Sequence, residues 1–239
     1  MRVGTQPLSR RALLMGSAMM ATCARAQASP RLAIDILLEP GPAMLERAAD
    51  DNARLRGNHP DGFALDPAHT PHITVLQAFV DAADLPRVQE AAGRVLDAAS
   101  PLAWQLTAIG RYYLPTDGLG LAGITIQPTQ ALLDMQAALI EATAPFSRQG
   151  ATAEAFDGPA APATLPQTVA YIGGFVPART GANFNPHVTT GLGREDFVRA
   201  LVAEPFPRFE FGLTGAALFH LGIFGTANRR LWTWSPRPR

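Results

Sequence analysis

The sequence predicts a bilobal α+β fold made of two similar halves that face a central cleft, with helices on the outside. The first observation behind this prediction is a short pattern, Pro-His-x-Thr, that occurs at 71–74 and again at 186–189. The second is the order of the predicted elements. A motif strand, a helix, a long strand, a turn and a final strand follow one another over both 71–127 and 186–235. A duplication explains both observations, and two such units about a pseudo-twofold axis would bring the motifs together.

The N-terminal segment 1–28 is predicted to be a cleaved twin-arginine export signal, separate from the fold. It has an arginine pair at 10–11, an uncharged apolar run over 12–24 and small residues near its end. This interpretation predicts a periplasmic domain over 29–239, with the twin-arginine translocase as a partner during export. The alternative is a lipoprotein anchored through Cys23, the only cysteine. No later stretch reaches the roughly 18 to 20 apolar residues of a transmembrane helix, so no membrane partner is expected.

The charge balance of the exported chain disfavours long nucleic acids as partners. The full chain has 20 Arg, no Lys and 20 acidic residues. The predicted signal contains four of the Arg and no acid, which leaves 16 basic against 20 acidic residues. Proteins that neutralise many phosphates are typically basic. A small phosphoester or nucleotide stays compatible with this balance, and so does a short RNA.

The elements of the first half follow from strand and helix patterns and from the breaks between them. Pro40-Gly41-Pro42 ends the first strand, and Asp117-Gly118 is a strong hairpin signal. The glycines over 118–123 match a dinucleotide-binding spacing, but they lead into a strand, whereas a phosphate cradle opens a helix. The predicted elements are a strand over 31–39, a helix over 43–56, a loop over 57–70, the motif strand over 71–80, a helix over 84–99 with Leu85, Val88, Ala92, Val95 and Leu96 on one face, hairpin strands over 102–114 and 119–127, and a helix over 131–143.

The second half is predicted to begin after a mobile linker over 144–166, which is rich in Ala, Pro and Gly. Its last two strands meet at a turn over 225–228. The predicted elements are a strand over 167–175, the motif strand over 186–191, a helix over 194–203, and strands over 208–221 and 230–235.

The two motifs have the geometry of a reaction centre. In a strand, residues two apart point to the same face, so His72 and Thr74 would share one face, as would His187 and Thr189. A zinc site on the two histidines is the chemical alternative. It would need a third His or carboxylate ligand, because the mature chain has no cysteine.

These paired His-x-Thr motifs, each on a strand followed by a helix, resemble the two-histidine (2H) phosphoesterase superfamily. This group includes bacterial 2'-5' RNA ligases and 2',3'-cyclic nucleotide phosphodiesterases. The resemblance covers about 31–235 and implies two antiparallel sheets that line a groove, with both motifs on its floor. It implies that His72 and His187 act as general acid and base, that Thr74 and Thr189 donate to phosphate oxygens, and that neither metal nor cofactor takes part.

Four further residues are weaker candidates for substrate binding. Arg111, Tyr113 and Phe184 could stack a base or hold a phosphate, with hairpin packing as the alternative. His220 lies in an apolar run, where a hydrogen-bonded core role competes with a place in the cleft. The function predicted from the sequence is metal-independent hydrolysis of a small cyclic phosphate or nucleotide-like phosphodiester. A 2'-5' RNA ligase-type activity and a non-catalytic binding protein for a phosphorylated ligand are the alternatives.

Overall fold

The computed structural model describes residue 1 and residues 29–67, 69–159 and 163–237. The predicted export signal, 1–28, therefore lies outside the described residues except for its first position. The strands are β1 (Arg31–Pro40), β2 (Ile73–Asp81), β3 (Gln105–Thr116), β4 (Leu119–Ile126), β5 (Ser147–Arg148), β6 (His187–Arg194), β7 (Phe209–Leu221) and β8 (Ala227–Thr233). The helices are α1 (Pro42–Asn58), α2 (Leu85–Ala99), α3 (Gln130–Thr143), α4 (Leu165–Gly173), α5 (Phe175–Arg179) and α6 (Glu195–Ala203). This confirms the predicted α+β class.

The strands form one antiparallel path in the order β5-β2-β1-β7-β3-β4-β6, and β8 pairs with β7. The long strand β7 joins the two parts of this path. Its residues 209–212 pair with β3, and its residues 213–220 pair with β1. The predicted pair of sheets is therefore continuous through β7.

The order of elements from β2 to β4 repeats from β6 to β8: strand, helix, long strand, turn, strand. This is the repeat that the sequence predicts, whereas the pseudo-twofold duplication itself stays a prediction. Four strands separate β2 from β6 along the path, yet β2 and β6 approach each other in space. The sheet must therefore curve, and its concave side brings the two motif strands together.

One apolar core extends through both parts of the sheet and beneath α2 and α3. The predicted apolar face of α2 is confirmed, because Val88, Ala92 and Leu96 are buried in this core and Leu85 and Val95 pack against it. Among the described residues, no helix is both long and apolar enough to cross a bilayer.

The structure differs from two sequence predictions for the segments 144–166 and 167–175. The segment predicted as a strand over 167–175 forms α4 and the start of α5, because Pro166 occupies the first turn of a helix and Gly174 ends it. The described part of the predicted linker includes β5, which pairs with β2, and Phe156, which packs on Phe79 of β2. These described residues are packed against the sheet, which the prediction of a mobile linker did not anticipate; residues 160–162 lie outside the described residues.

Candidate active site

A cavity of about 500 Å³ opens on the concave side of the sheet, and both His-x-Thr motifs line it. His72 and Thr74 come from the start of β2, and His187 and Thr189 come from the start of β6. The fold thus brings together two pairs of side chains that lie more than 110 positions apart in the sequence.

The two motif strands share a local irregularity directly after the threonine. In β2, Leu76 lies opposite Ile36 and Thr74 lies opposite Leu37, so Val75 is an extra residue in the ladder. In β6, Gly191 lies opposite Ala122 and Thr189 opposite Gly123, so Thr190 is the extra residue. A β-bulge reverses the alternation of faces that follows it. Before each bulge, the His-x-Thr pair faces the cavity. After each bulge, the alternation is reversed, so successive residues point to the opposite faces of the sheet.

The same backbone contact fixes the ring of each histidine. His72 Nδ1 lies 2.7 Å from the carbonyl oxygen of Thr70, and His187 Nδ1 lies 2.7 Å from the carbonyl oxygen of Asn185. A carbonyl oxygen only accepts, so Nδ1 carries the hydrogen in both rings. In the neutral imidazoles Nε2 is then the free base, and in the protonated form Nε2 is the acid.

A buried carboxylate stands beside the first motif. Asp35 in β1 is fully buried, and its Oδ2 accepts hydrogen bonds from Thr74 Oγ1 at 2.8 Å and from Gln77 Nε2 at 3.0 Å. The same oxygen lies 3.9 Å from His72 Nε2. Burial raises the pKa of Asp35 from 3.8 to about 6, against the lowering effects of His72, Gln77 and Thr74. The other oxygen, Oδ1, is buried without a hydrogen-bond partner among the described residues.

A phenol takes the corresponding place beside the second motif. The ring of Tyr112 lies edge-on to His187, with the ring centroids 4.8 Å apart, and its hydroxyl bonds with the Thr189 side chain. Tyr112 reaches this position by lying across Gly123, its partner in β4: a Cβ at Gly123 would be 2.5 Å from Tyr112 Cε1. Burial raises the pKa of Tyr112 above its usual 10, although the bond with Thr189 opposes this. Tyr112 therefore keeps its proton at neutral pH.

The surroundings of His187 disfavour a positive charge on its ring. Removal from water lowers the pKa of His187 below its usual 6.5, and the charges of His72 and Arg179 lower it further. The bond from Nδ1 to the Asn185 carbonyl acts in the opposite direction but does not cancel these effects. His187 is therefore neutral at pH 7. His72 differs from it in having the Asp35 carboxylate nearby.

Two of the weaker sequence candidates, Phe184 and Tyr113, lie in different surroundings. Phe184 lines the cavity. Tyr113 points to the other face of β3, where it packs near Val198 and accepts a hydrogen bond from Arg199 at 3.4 Å. Tyr113 is therefore not among the residues that line the cavity, whereas its neighbour Tyr112 is.

Arg111 and His220 lie away from the cavity. Arg111 forms a buried two-pronged ion pair with Asp51 of α1, at 2.8 and 2.9 Å. His220 donates from Nε2 to the Ala155 carbonyl at 2.9 Å, and its Nδ1 accepts from Arg229 at 2.9 Å. Both side chains are held by structural partners, which is the physical reason that neither reaches the cavity.

The zinc alternative requires a third His or carboxylate ligand beside the two histidines. In the described part of the chain, no group of three or more His, Cys, Asp and Glu side chains is placed to hold a metal ion. The cavity lining instead contributes neutral donors, such as Gln77 and Asn183, and one guanidinium, Arg179.

The comparisons with known proteins agree with this geometry. Residues 45–222 match the family model described as the 2'-5' RNA ligase superfamily. TT0787 of Thermus thermophilus has a similar structure, with a TM-score of 0.51, 17% identity, and coverage of 87% of this chain and all of TT0787. E. coli LigT, solved with 3'-AMP, follows at a TM-score of 0.44 and 14% identity over 88% of this chain and all of LigT. Kluyveromyces marxianus Usb1 follows at 0.42 and 8% identity over 85% of this chain and 98% of Usb1.

A search of curated proteins by sequence finds no match. The TT0787 likeness concerns the fold, and the family match covers most of the chain together with both His-x-Thr motifs. The chain belongs to the 2'-5' RNA ligase superfamily, a group of two-histidine phosphoester enzymes, as its paired motifs predicted.

Proposed function

We propose that this protein is a metal-independent phosphodiesterase that hydrolyses a small cyclic phosphate, with His187 as the general base and His72 as the general acid. The observation that carries the proposal is the matched pair of imidazoles on one cavity, each with Nδ1 held by a carbonyl and Nε2 left for proton transfer. Imidazole exchanges protons near neutral pH, and each such transfer contributes about 100- to 10,000-fold to a rate.

The surroundings of the two rings assign the two roles. The lowered pKa of His187 keeps it neutral at pH 7, as a base requires. The Asp35 carboxylate lies 3.9 Å from His72 Nε2, so the nitrogen assigned as the acid has a group of opposite charge beside it. The acid and base are therefore distinguished by one carboxylate that the second motif does not have.

The reaction balances without a cofactor. His187 Nε2 takes a proton from water as the water oxygen attacks phosphorus. The bond from phosphorus to one ring oxygen breaks, and that oxygen takes the proton of His72 Nε2. The product is a phosphomonoester, and the protons on the two rings return to their starting places through solvent. Ligation is the same sequence in the same direction, with an alcohol as the attacking group in place of water and a phosphodiester as the product.

The threonines play unequal parts in this mechanism. The Thr189 hydroxyl bonds with the neutral phenol of Tyr112, and when substrate is bound it can donate instead to a non-bridging phosphate oxygen. Thr74 already donates to Asp35. We therefore assign the stabilisation of developing phosphate charge to Thr189 and the positioning of Asp35 to Thr74.

The test is an assay on nucleoside 2',3'-cyclic phosphates after treatment with EDTA. We expect wild type to retain activity, and His72→Ala and His187→Ala each to lose about 100- to 10,000-fold in kcat. His59→Ala is the matched control, because His59 caps the end of α1 and does not line the cavity. Activity that returns only with added Zn²⁺ would overturn the metal-independent mechanism. Binding without turnover, unchanged in the two variants, would indicate a non-catalytic binding protein.

The periplasmic location also stays a proposal, supported by the arginine pair and apolar run over 10–24. Cell fractionation of the full chain and of an Arg10→Lys, Arg11→Lys double variant tests it. We expect a shortened periplasmic product only from the unaltered signal, and a full-length cytoplasmic product from both would overturn it.

A further inference from the structure

The cavity combines apolar walls with a single permanent positive charge. Among its described lining residues no Asp or Glu occurs, and Arg179 is the only Arg. Aromatic rings make up much of the remaining wall, including Tyr171 and Phe175 of α4 and α5. Asp35 is buried behind Thr74 and is not a lining residue, so the described lining presents a positive charge and no acid, which favours an anion.

Arg179 is placed to meet that anion. It is the last residue of α5, is exposed to solvent and has no ion-pair partner among the described residues. Its guanidinium carbon lies 5.1 Å from the ring centroid of Tyr171, a cation-π contact that orients the side chain. Its charge reaches the second motif, because it lowers the pKa of His187, and it also acts on Tyr171 of α4.

The contrast with Arg111 shows what is unusual about this arrangement. Arg111 is buried, and its Nε and Nη2 both donate to the Asp51 carboxylate. The guanidinium of Arg179 has only a ring face beneath it, and its N–H groups are available to a ligand. A guanidinium with free donors binds a phosphate through two parallel hydrogen bonds.

We propose that Arg179 binds the phosphate of the substrate, and that the substrate carries one phosphodiester and a flat or apolar group that rests on the α4 and α5 wall. This inference rests on the proposed function and deepens it. One cation suits one phosphate, whereas a polynucleotide requires several to replace its counterions. A cavity of about 500 Å³ is also the size of small-ligand sites.

The rim of the cavity agrees with an apolar substituent. Three large side chains are exposed there: Leu114 at 52%, Tyr171 at 43% and Phe224 at 69%. Exposed apolar groups gathered at the mouth of a cavity are typical of a binding site. A strand of RNA that continued out of the cavity would meet these apolar groups where its next phosphates require cations.

The first experiment compares kcat and KM on a nucleoside 2',3'-cyclic phosphate for wild type, Arg179→Gln and Arg179→Lys. We expect Arg179→Gln to raise KM about 10- to 100-fold with kcat changed much less, and Arg179→Lys to recover part of the loss. Arg208→Gln is the matched control, because Arg208 is an exposed arginine that does not line the cavity. An unchanged KM in Arg179→Gln, in an active wild type, would overturn the inference and leave the proposed function standing.

A binding measurement keeps the inference separate from turnover. Calorimetric titration with inorganic phosphate should show binding to wild type and to Arg208→Gln that weakens at least about tenfold in Arg179→Gln. This result would support the Arg179 site even if wild type hydrolysed no cyclic phosphate, in which case only the proposed function would fail. Equal phosphate affinity in all three proteins would overturn the site.

The substrate class is tested with one cyclic phosphate presented in two ways. A mononucleoside 2',3'-cyclic phosphate is compared with the same nucleotide at the end of a ten-residue RNA. We expect kcat/KM to favour the mononucleoside compound, and Tyr171→Ala but not Tyr171→Phe to raise its KM about 5- to 100-fold. Preference for the RNA by about tenfold or more would overturn the proposed substrate class.

Discussion

The hydroxyl of Thr74 donates a 2.8 Å hydrogen bond to the buried carboxylate of Asp35. The equivalent hydroxyl of Thr189 bonds instead with the phenol of Tyr112. Two motifs that are nearly identical in sequence thus differ in their electrical surroundings: one has an acidic partner and the other a neutral one. This difference, rather than the histidines themselves, separates the roles in the proposed mechanism.

The two threonines are therefore expected to respond differently to the same substitution. Thr189→Val removes the hydroxyl that donates to the phosphate, and we expect kcat to fall by about 100- to 1,000-fold. Thr74→Val removes the donor to Asp35 and should lower kcat less. Steady-state kinetics on both variants check this, and equal losses of kcat would contradict the division of roles.

Asp35→Asn should change the pH dependence of the reaction. The activity of wild type should rise with pH as His187 loses its proton, at a pH below 6.5 because its pKa is lowered. It should fall at higher pH as the acid loses its proton. Asp35→Asn removes the negative charge beside the acid, so we expect the basic limb to move to lower pH and the acidic limb to stay. Asp134→Asn on the surface of α3 is the control, and an unchanged profile in Asp35→Asn would contradict a positioning role.

Asp35 should also make the stability of the fold depend on pH. Its carboxyl has a pKa of about 6 when folded and 3.8 as the reference value, so between these pH values the folded chain binds the extra proton. The free energy of unfolding is then expected to fall as pH rises from about 4 to about 6, by about 3 kcal/mol for this group. Urea unfolding across this range, compared between wild type and Asp35→Asn, measures it. A constant difference between the two proteins would show that the carboxyl titrates normally.

Gly123→Ala should disturb the second motif from the neighbouring strand, β4. The new Cβ would lie 2.5 Å from Tyr112 Cε1 and 2.8 Å from the Val188 carbonyl oxygen, so the Tyr112 ring must move. We expect kcat to fall by about 100-fold, because displacements near 1 Å in a reaction centre have effects of that size. Gly110→Ala in β3 is the control, since its added Cβ would meet nothing within 4 Å. Full activity in Gly123→Ala would show that Tyr112 is dispensable.

Arg111→Met tests the structural assignment of a residue that the sequence had suggested for substrate binding. Arg111 and Asp51 are 5% and 3% exposed, and loss of one partner leaves the other charge buried. We expect the free energy of unfolding to fall by about 3 to 5 kcal/mol, while KM of the folded variant stays within about twofold. Arg94→Met removes an exposed pair with Glu90 and should cost less than about 1 kcal/mol. A large rise of KM in Arg111→Met would instead indicate that Arg111 binds substrate.

The sequence was sufficient to predict the two motifs and most of the strands and helices. His72 and His187 were recognisable because the same pattern occurred twice in the same order of elements, and alternation within a strand put each Thr on the face of its His. The strand predicted over 167–175 was wrong because its apolar residues suit a strand as well as a short helix. Pro166 and Gly174, which mark the helix ends, decided the outcome.

The partners of the motifs could not be predicted in the same way. Asp35 contacts Thr74 and Gln77 together only because a bulge at Val75 reverses the faces of β2 between them, and no residue pattern marks that bulge. Tyr112 and Tyr113 are adjacent, and the choice between them depends on the register of β3 with β4. Gly123 is the one signal that could have pointed to Tyr112, because a glycine in a strand often marks a place where a large neighbour lies across it.

The shared strand β7 has a consequence for how the protein is made. The ribosome releases β7 only after the strands that it joins, β1 and β3, have already emerged. Until then the nascent polypeptide exposes unpaired strand edges that are prone to aggregation. We therefore expect shortened translation products that stop before residue 209 to depend on chaperones and to be degraded, with no partially active fragment.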